Sequence, residues 1–526
     1  MQERPYVGFY VQDVEFRSIV VTVQTPLRMC LSASLSGFLP PDPCRAFRYC
    51  DLCCGDGTTI IALAILNPES EFWGIDFNPQ HIKKGQERIE RYGLKNVRLI
   101  QADLAEIDFK DFPEFDFITI NGAYSWLEEP LRQKILDFVG EKLKEGGLFY
   151  VQYMALPGRI SIEPLWKLIQ RLVPPEKYSS GRERAKKGLY FLRLLAKRGM
   201  FYLQANPPAA RATQFYLTTT KNDEYFIDHF AHNALASGFR PFYFYEIYSE
   251  IKKRGLEFAG SVDPALNDLE LAVPPTQVPT FFEITDIELV ETVKDFIRNT
   301  MDRRDLFIKG GVKDFSRAYE FLKERIKIFP ALPVTEINRV LPVIGGARIP
   351  LKGPVYDKVF KLFEEGRSFI TLEDLGEFQE KQVLKALTRL LATQEFEVAL
   401  KEPYPEVSFK EDEEVKFELY PEINEEFLEE AREEFFSCVL VSEITRGAGS
   451  PLSPLEVLFL SELKENGRVD FERLKEKLSS VTKVVQTLQG QKPANALSTE
   501  ELERMFKAFS KRKIPLLMKL GILKVL

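Results

Sequence analysis

Apolar segments of strand length alternate with longer helix-like segments between residues 47 and 153, and this alternation is the strongest constraint on the fold. Strand candidates lie at residues 47–52, 71–76, 97–101, 115–120 and 148–153, and helix candidates at 58–66, 79–92 and 130–143. Strands that alternate with helices of about 10–15 residues predict a parallel sheet with helices on both faces. The sequence therefore predicts a doubly wound α/β domain, which we place at residues 1–158.

A glycine-rich turn joins the first strand of this alternation to the first helix. Its sequence is DLCCGDG at residues 51–57. Glycine lets the backbone approach a ligand closely, and the ligand crevice of such sheets lies at the carboxyl ends of the strands. Ile60 stands where a dinucleotide fingerprint has its third glycine, so pyrophosphate binding is disfavoured, and we expect Asp51 to position the amino end of an amino-acid-like ligand. The predicted cofactor-binding residues of this turn are Asp51, Cys53, Gly55, Asp56 and Gly57.

The next two strands also end in acidic residues. Asp76 closes the second strand, where a carboxylate accepts hydrogen bonds from both ribose hydroxyls. Asp103 follows the third strand and is placed to meet an adenine amino group, with Phe77 and Leu104 on either side of the base. Three such features at three successive strand ends predict a nucleoside-containing ligand. The alternative is that each residue only caps a helix or solvates a turn.

The fourth strand runs into the segment NGAYSW at residues 121–126. Asn-x-x-Tyr at this point resembles the Asn-Pro-Pro-Tyr motif of amino-group methyltransferases, although Gly and Ala replace the two prolines. We therefore predict an acceptor site that contains Asn121, Tyr124, Trp126 and Tyr153, with Asn121 also facing the cofactor. The alternative is that Tyr124 and Trp126 only close a hydrophobic lid.

The segment Tyr49–Arg159 resembles the class I methyltransferases that have a methyltransferase regulatory domain, among them the rickettsial outer-membrane-protein lysine methyltransferases. The matching stretches are YCDLCCGDG, FWGIDFNPQHI, FPEFDFITINGAYSWL, LKEGGLFYVQY and LPG, followed by DEYFIDHFAHNALASGFRPFYFYEIYSEIKKRGLEFAG and VKDFIRNTMDRRDLFIKG. The resemblance covers about residues 45–310. It implies a Rossmann-like class I methyltransferase domain, S-adenosylmethionine as the cofactor and lysine side chains of a protein as the methyl acceptor.

This sequence departs from the family at two places that face the presumed acceptor pocket. The family has His-Gly-(Val/Ile)-x-Ser-Trp where this chain has NGAYSW, and Ser-Tyr-Asn where it has Gln152-Tyr153-Met154. The cofactor is therefore better defined than the acceptor. Two alternatives stay open, which are a methyltransferase that acts on a small molecule or RNA, and an S-adenosylmethionine-sensing interaction protein without turnover.

Beyond the catalytic domain the sequence predicts a mainly helical regulatory domain at 159–310, a winged-helix-like domain at 311–405 and an α-rich domain of winged-helix size at 406–526. We interpret the basic stretch 182–198 as a solvated helix face and the acidic stretch 401–435 as a solvated connector. All the cofactor signals lie before residue 160. We expect residues beyond about 310 to select the acceptor rather than to perform chemistry.

The composition of the chain indicates which kinds of partner it binds and where in the cell it is located. The net charge of −7 and the pI of about 5.5 disfavour a general nucleic-acid binder, which needs surplus cations against phosphates. No stretch approaches the ~18–20 apolar residues of a membrane span, so we expect a cytoplasmic protein. The cysteines cluster between Cys30 and Cys54, but the chain has only three histidines, and we predict no metal site. A protein substrate is the expected partner, and a homodimer is left open.

Overall fold

The structure, a computed structural model, describes residues 6–7, 10–11, 17–221, 223–405, 416–488 and 490–526. The strands of the first region are β1 (Tyr6–Val7), β2 (Tyr10–Val11), β3 (Arg48–Leu52), β4 (Glu71–Asp76), β5 (Val97–Gln101), β6 (Phe115–Ile120) and β7 (Leu143–Met154). Its helices are α1 (Pro26–Leu35), α2 (Thr58–Leu66), α3 (Pro79–Arg91) and α4 (Glu129–Lys142). The strands and helices predicted between residues 47 and 153 are thus confirmed, although β7 begins earlier than expected.

Local chemistry explains where these elements begin and end. Helix α3 starts at Pro79, whose fixed φ suits the first turn, and Asn78 caps it by accepting a hydrogen bond from the Gln80 N–H. Helix α2 is apolar on every side and is buried along most of its length, as expected for a helix enclosed between the sheet and other elements. Strand β3 is buried at four of its five residues, which places it in the middle of the sheet.

A second region contributes α5 (Ile162–Leu172), α6 (Gly181–Lys197), α7 (Phe201–Ala205), α8 (Pro207–Thr219), α9 (Tyr225–Ala234), α10 (Phe244–Lys252), β8 (Leu256–Ser261), α11 (Leu269–Ala272), α12 (Ile287–Arg298) and β9 (Asp302–Lys309). Helices α5, α6, α8 and α9 bury a shared core that includes Trp166, Leu192 and Phe230. The basic stretch 182–198 lies in α6, which exposes its lysines, as expected for a solvated face, and buries Ala185 and Leu189 on its other side.

The main sheet has seven strands in the order β5-β4-β3-β6-β7-β9-β8. The first five are parallel, β9 runs antiparallel to β7, and β8 runs antiparallel to β9. The α/β prediction is confirmed, but the last two strands come from the region that we expected to be a separate, mainly helical domain. The boundary at residue 158 thus cuts through one sheet, because β9 and β8 cover the edge of β7 that would otherwise be unpaired.

The last region begins with α13 (Phe315–Arg325) and ends with β19 (Leu523–Val525). Between them lie β10 (Lys327–Pro330), β11 (Val340–Pro342), β12 (Arg348–Pro350), α14 (Pro354–Glu364), α15 (Glu380–Ala392), β13 (Phe396–Ala399), β14 (Phe417–Leu419), α16 (Ile423–Glu434), β15 (Cys438–Ser442), β16 (Gly447–Leu452), α17 (Pro454–Asn466), α18 (Phe471–Leu478), β17 (Val484–Thr487), β18 (Gly490–Pro493) and α19 (Thr499–Lys519). Its strands form two-stranded pairs such as β10–β13 and β14–β19. The winged-helix assignment of these units stays a prediction.

The C-terminal region packs directly on the catalytic domain. One buried apolar cluster runs from Val20 in the catalytic domain to Leu523 near the end of the chain. Part of the acidic stretch, 406–415, lies outside the described residues, but α16 follows it and buries Ile423 and Phe427. The prediction of a solvated connector is therefore wrong for α16, because the apolar face of this helix is packed. No helix in the described part of the chain is long and apolar enough to cross a membrane.

Candidate active site

The glycine-rich turn after β3 is held in a left-handed backbone conformation. Cys53 has φ 59°, Gly55 φ 59° and Gly57 φ 73°. A Cβ atom at Gly57 would lie 2.9 Å from Leu99 Cδ2. This position therefore requires glycine for two reasons, its positive φ and its close approach to β5. The Gly55 N–H donates to Asp76 Oδ2 at 2.9 Å, which fixes the turn against the end of β4.

Asp51 lies at the base of this turn and is 5% exposed. Its Oδ1 accepts hydrogen bonds from Gln24 Nε2 at 3.0 Å and from Thr119 Oγ1 at 2.7 Å. Burial raises the pKa of Asp51 to about 7, against the lowering effect of these two hydrogen bonds, and the nearby Asp76 carboxylate raises it further. Gln24 and Thr119 were not singled out in the sequence analysis, because neither residue belongs to the glycine-rich turn or to an acidic strand end. A cation beside Asp51 would favour its charged form.

Asp76 and Asp103 follow neighbouring strands and lie at the same edge of the sheet. The Ala102 N–H donates to the Asp76 carbonyl at 3.0 Å, which joins the two strand ends. Asp76 Oδ1 accepts from the Asn78 N–H at 2.9 Å, and Asp103 Oδ1 accepts from the Ala105 N–H at 2.8 Å. Each carboxylate thus stabilises its own turn. Such a turn-capping role is compatible with the predicted role in cofactor binding. Of the two residues predicted to flank the base, Leu104 is buried and Phe77 is half-buried.

Asp56 has a different environment from the other predicted cofactor residues. Its Oδ1 accepts from the Thr58 N–H at 3.1 Å and from the Thr58 hydroxyl at 2.6 Å, at the first residue of α2. Its Oδ2 lies 3.6 Å from Lys84 Nζ and 3.8 Å from Arg88 Nη1, both on α3. These contacts give Asp56 a role in helix capping and ion pairing, and its contact with the cofactor stays a prediction.

Two side chains from β7 fix the loop that follows β6. The Tyr150 hydroxyl donates to Asn121 Oδ1 at 2.9 Å, and the Gly122 N–H donates to Gln152 Oε1 at 3.0 Å. Burial raises the pKa of Tyr150 far above its usual range, so its hydroxyl stays protonated and remains a donor. Tyr150 was missed in the sequence analysis, and Gln152 was named there only as a departure from the family, although the two lie two residues apart and so share one face of the strand.

Tyr124 and Trp126 form a short 3-10 turn (Tyr124–Trp126) and are both buried. The Tyr124 ring packs against Phe242 with centroids 5.8 Å apart, and the Trp126 ring packs against Phe239 at 5.6 Å. Trp126 Nε1 donates to the Asn233 carbonyl at 3.4 Å. The two aromatic residues therefore join the end of β6 to the helices of the second region, and this packing matches the hydrophobic-lid interpretation.

Tyr153 lies in the same buried cluster as Tyr124 and Phe242, but its hydroxyl is engaged elsewhere. Its hydroxyl donates to Asp305 Oδ2 at 2.7 Å, and Asp305 is itself paired with the buried Arg303. Tyr153 lies three residues after Tyr150 and so faces the other side of the sheet, since side chains alternate along a strand. Tyr153 thus joins β7 to β9 through its hydroxyl and faces the side of the sheet opposite to Tyr150, and its role in the acceptor site stays a prediction.

The clustered cysteines have no metal-like arrangement in the described part of the chain, where no three histidine, cysteine or acidic side chains could share an ion. All six thiols are free, and burial raises the pKa of Cys53 and Cys54 well above the usual range. These thiols stay protonated, which does not suit a metal ligand. The absence of a metal stays a prediction.

Two family models match the chain. Residues 45–186 match a model described as "Methyltransferase domain", and residues 228–309 match one described as "Predicted methyltransferase regulatory domain". The second match includes β8 and β9, so the regulatory segment supplies the last two strands of the main sheet.

Relatives and solved structures agree with these matches. An uncharacterised protein of Synechocystis is 28% identical over 383 residues, which is 72% of either chain, and one of Rickettsia prowazekii is 25% identical over 57% of this chain and 53% of its own length. The demethylmenaquinone methyltransferase of Geobacillus kaustophilus is 30% identical over 24% of this chain and 54% of its own. The structure of PKMT2 from Rickettsia typhi in complex with AdoHcy superposes with a TM-score of 0.62 at 16% identity, covering 96% of this chain and 100% of that one. This likeness shows a common fold along nearly the whole chain.

Proposed function

The chain contains a class I S-adenosylmethionine-dependent methyltransferase domain followed by a methyltransferase regulatory domain, and we propose that it methylates lysine side chains of a protein substrate. The observation on which the proposal rests is the Asn121 side chain, which lies at the carboxyl end of β6 and is held there by Tyr150 at 2.9 Å. An amine acceptor needs such a fixed hydrogen-bond acceptor near the cofactor edge of the sheet.

The cofactor side of the proposal uses the residues at the ends of β3, β4 and β5. Asp51 would hold the cationic amino group, Asp76 the ribose hydroxyls and Asp103 the adenine amino group, with Phe77 and Leu104 beside the base. The donor set fits this ligand because a buried carboxylate with a raised pKa is stabilised by a cation. The left-handed turn leaves space beside Gly55, where a Cβ atom would meet only Ser18 Oγ at 3.7 Å.

Asn121 would orient the attacking nitrogen. Its carbonyl oxygen has two lone pairs, of which the Tyr150 hydroxyl occupies one, so a substrate N–H donates to the other. The bound cofactor supplies an activated methyl group, and the protein then has to hold the neutral amine in line with it. The buried aromatic layer of Tyr124 and Trp126 favours the neutral amine, because removal from water disfavours the charged form.

The helices of the second region would exclude water from the acceptor site at Asn121. Trp126 belongs to the same buried cluster as Trp166 and Phe230, and Tyr124 belongs to a second buried cluster with Phe242, so apolar side chains cover both residues. Methyl transfer to a neutral amine needs no side chain that moves a proton at the methyl group. Correct placement of the amine and exclusion of water therefore account for much of the rate. A resemblance in fold to a protein methyltransferase from Rickettsia typhi supports a protein acceptor.

The test is a labelling experiment with S-adenosylmethionine that carries a tritiated methyl group. Lysate protein, RNA and small metabolites are offered separately, and labelled protein is hydrolysed to identify the modified amino acid. We expect methyl-lysine in the protein fraction. Asn121→Ala should lower labelling about tenfold or more, as expected for a lost positioning hydrogen bond, whereas Tyr190→Phe on the exposed face of α6 should not.

Each other outcome selects an alternative. Label in RNA or in a metabolite would assign the chain to another class of acceptor. Calorimetric binding of the cofactor without label in any fraction would indicate a sensing protein. Label on protein that is equal for Asn121→Ala and the wild type would leave methyl transfer in place but remove Asn121 from the acceptor site.

A further inference from the structure

Three aromatic rings stack on the surface between α10 and α12. We call Tyr243, Tyr245 and Phe296 the aromatic stack. The Tyr243 ring lies 5.2 Å from that of Tyr245 and 5.9 Å from that of Phe296, with interplanar angles of 11° and 4°. Tyr245 is 41% exposed and Phe296 56% exposed. Parallel rings held in this way on two helices form a preorganised surface, and such an exposed apolar patch usually marks a binding site.

The aromatic stack is continuous with the proposed acceptor site. Phe242 directly precedes Tyr243 and packs on Tyr124, with ring centroids 5.8 Å apart. The Arg240 N–H also donates to the Ser125 carbonyl at 2.8 Å. The chain segment that ends in the aromatic stack therefore begins against the 3-10 turn after β6, which directly follows the loop of Asn121.

Acidic side chains surround the aromatic stack on the side of α12. Asp286 is exposed and caps α12, Glu288 is half-buried in the first turn of the helix, and Glu283 is exposed three residues before the cap. Within the described part of the chain, these three carboxylates have no ion pair with a lysine or arginine, whereas Glu246 pairs with Arg240. Glu246 and Glu288 both raise the pKa of Tyr245 in addition to the effect of burial, which shows that their charges act on the stack.

Helix α12 extends the same surface with an apolar stripe. Leu289 is 56% exposed and lies seven residues before Phe296, so both occupy one face of the helix. The face thus combines aromatic rings, an apolar stripe and unpaired carboxylates. Aromatic faces and carboxylates both attract lysine and arginine, whereas a phosphate backbone would be repelled by the carboxylates.

We propose that the aromatic stack with Glu283, Asp286 and Glu288 is a docking surface for a lysine- or arginine-bearing segment of the protein substrate. This inference rests on the proposed function, because it assigns the partner of the same acceptor site. A cationic side chain lies over the exposed ring of Tyr245 or Phe296, the carboxylates add attraction at longer range, and a neighbouring lysine of the same segment reaches Asn121. Binding remote from the reacting atom then places the amine.

The binding test uses a fluorescein-labelled peptide of alternating lysine and glycine, with a glutamate–glycine peptide and a short single-stranded RNA as comparison probes. Fluorescence anisotropy measures the affinity of each probe for the full chain. Tyr245→Ser combined with Phe296→Ser should weaken the lysine peptide about tenfold, because two exposed cation–π contacts are lost. Tyr190→Ser and Phe201→Ser remove aromatic side chains that are 52% and 83% exposed elsewhere, and should not change the affinity.

A second variant tests the charges while it keeps the rings. Glu288→Lys should weaken the lysine peptide and Glu288→Gln should weaken it less, with the difference decreasing as salt is added. Calorimetric cofactor binding and circular dichroism verify that each variant is folded. With the labelled protein substrate, the double variant should raise KM and leave kcat unchanged, since the stack does not touch the reacting atoms.

The outcomes separate this inference from the proposed function. Unchanged peptide affinity in both the double variant and Glu288→Lys would overturn the docking surface, whatever the wild type methylates. A preference of the surface for RNA would overturn it as well. If the lysine peptide binds as expected but no lysine is ever methylated, the docking surface is supported and the proposed function fails.

Discussion

The Tyr150 hydroxyl donates a hydrogen bond of 2.9 Å to Asn121 Oδ1, and this contact joins the ends of β7 and β6. The two residues pair because β6 and β7 are parallel neighbours, with Ile120 opposite Val151. Tyr150 is completely buried, so its hydroxyl has a fixed direction. The contact sets the orientation of the side chain on which the proposed acceptor chemistry depends.

Tyr150→Phe should lower kcat for methyl transfer about tenfold, because Asn121 loses the hydrogen bond that orients its amide. The affinity for S-adenosylmethionine should stay the same, since Tyr150 is not among the predicted cofactor contacts. Steady-state kinetics and calorimetry measure the two quantities, with Tyr190→Phe as the control. An equal loss of cofactor affinity would assign Tyr150 to the cofactor pocket instead.

Asp76→Ala should weaken S-adenosylmethionine binding by about tenfold or more, because a charge-assisted hydrogen bond contributes ~1.5–3 kcal/mol. Asp76 also accepts from the Gly55 N–H at 2.9 Å, so its removal loosens the glycine-rich turn. Isothermal titration calorimetry measures the affinity, and Asp108→Ala, which removes an exposed carboxylate after β5, is the matched control. Unchanged affinity in Asp76→Ala would exclude Asp76 from the site.

Cofactor binding should depend on pH through Asp51. Burial raises the pKa of Asp51 to about 7, well above the value of about 3.9 in an unfolded chain. The contribution of this carboxyl to stability is therefore fully present below about pH 4 and is lost as the pH rises through about 7. A cationic amino group beside Asp51 reverses this preference, so binding should release a proton and strengthen between about pH 6 and pH 8.

The proton release is measured by calorimetry in two buffers with different ionisation enthalpies. Asp51→Asn should abolish the release, weaken binding at high pH and stabilise the free protein there, since the buried charge is gone. Binding of the same strength at both pH values in the wild type would contradict a role for Asp51 beside the cofactor amino group.

Arg88→Met should destabilise the chain by up to about 3–5 kcal/mol, because it takes the buried cation away from Asp56 and Glu426 and leaves them only the exposed Lys84 and Arg91. Arg88 is 3% exposed, and its guanidinium donates to Glu426 Oε1 at 2.6 Å, to Glu430 Oε1 at 2.8 Å and to Thr58 Oγ1 at 2.8 Å. It thus joins α16 of the C-terminal region to the start of α2.

Chemical denaturation measures the free energy of unfolding of this variant. Arg91→Met is the control, since Arg91 also pairs with Glu426 but its side chain is 61% exposed, and its loss should cost less than about 1 kcal/mol. Equal effects of the two substitutions would show that the buried position of Arg88 does not matter.

The sequence by itself determined the parts of the protein that depend on local pattern. The alternation of apolar segments defined the strands and helices from β3 to β7, because strand and helix periods differ and glycine and proline mark their ends. The turn DLCCGDG and the acidic ends of β4 and β5 predicted the cofactor edge, since the carboxyl ends of parallel strands must meet at one edge.

Tertiary structure decided what depends on residues distant in the chain. Strands β8 and β9 join the sheet more than a hundred residues after β7, and no local signal shows which edge they cover. Asp51 accepts hydrogen bonds from Gln24 and Thr119, and Asn121 accepts one from Tyr150. Long-range packing brings these pairs together, and the periodicity of the sequence does not predict it. Tyr153 illustrates the same limit, because its place beside the motif did not reveal the face of β7 on which it lies. The sequence thus determined the elements and the chemistry available to them, and long-range packing decided which side chains meet, since a side chain's surroundings are set by elements far away in the chain.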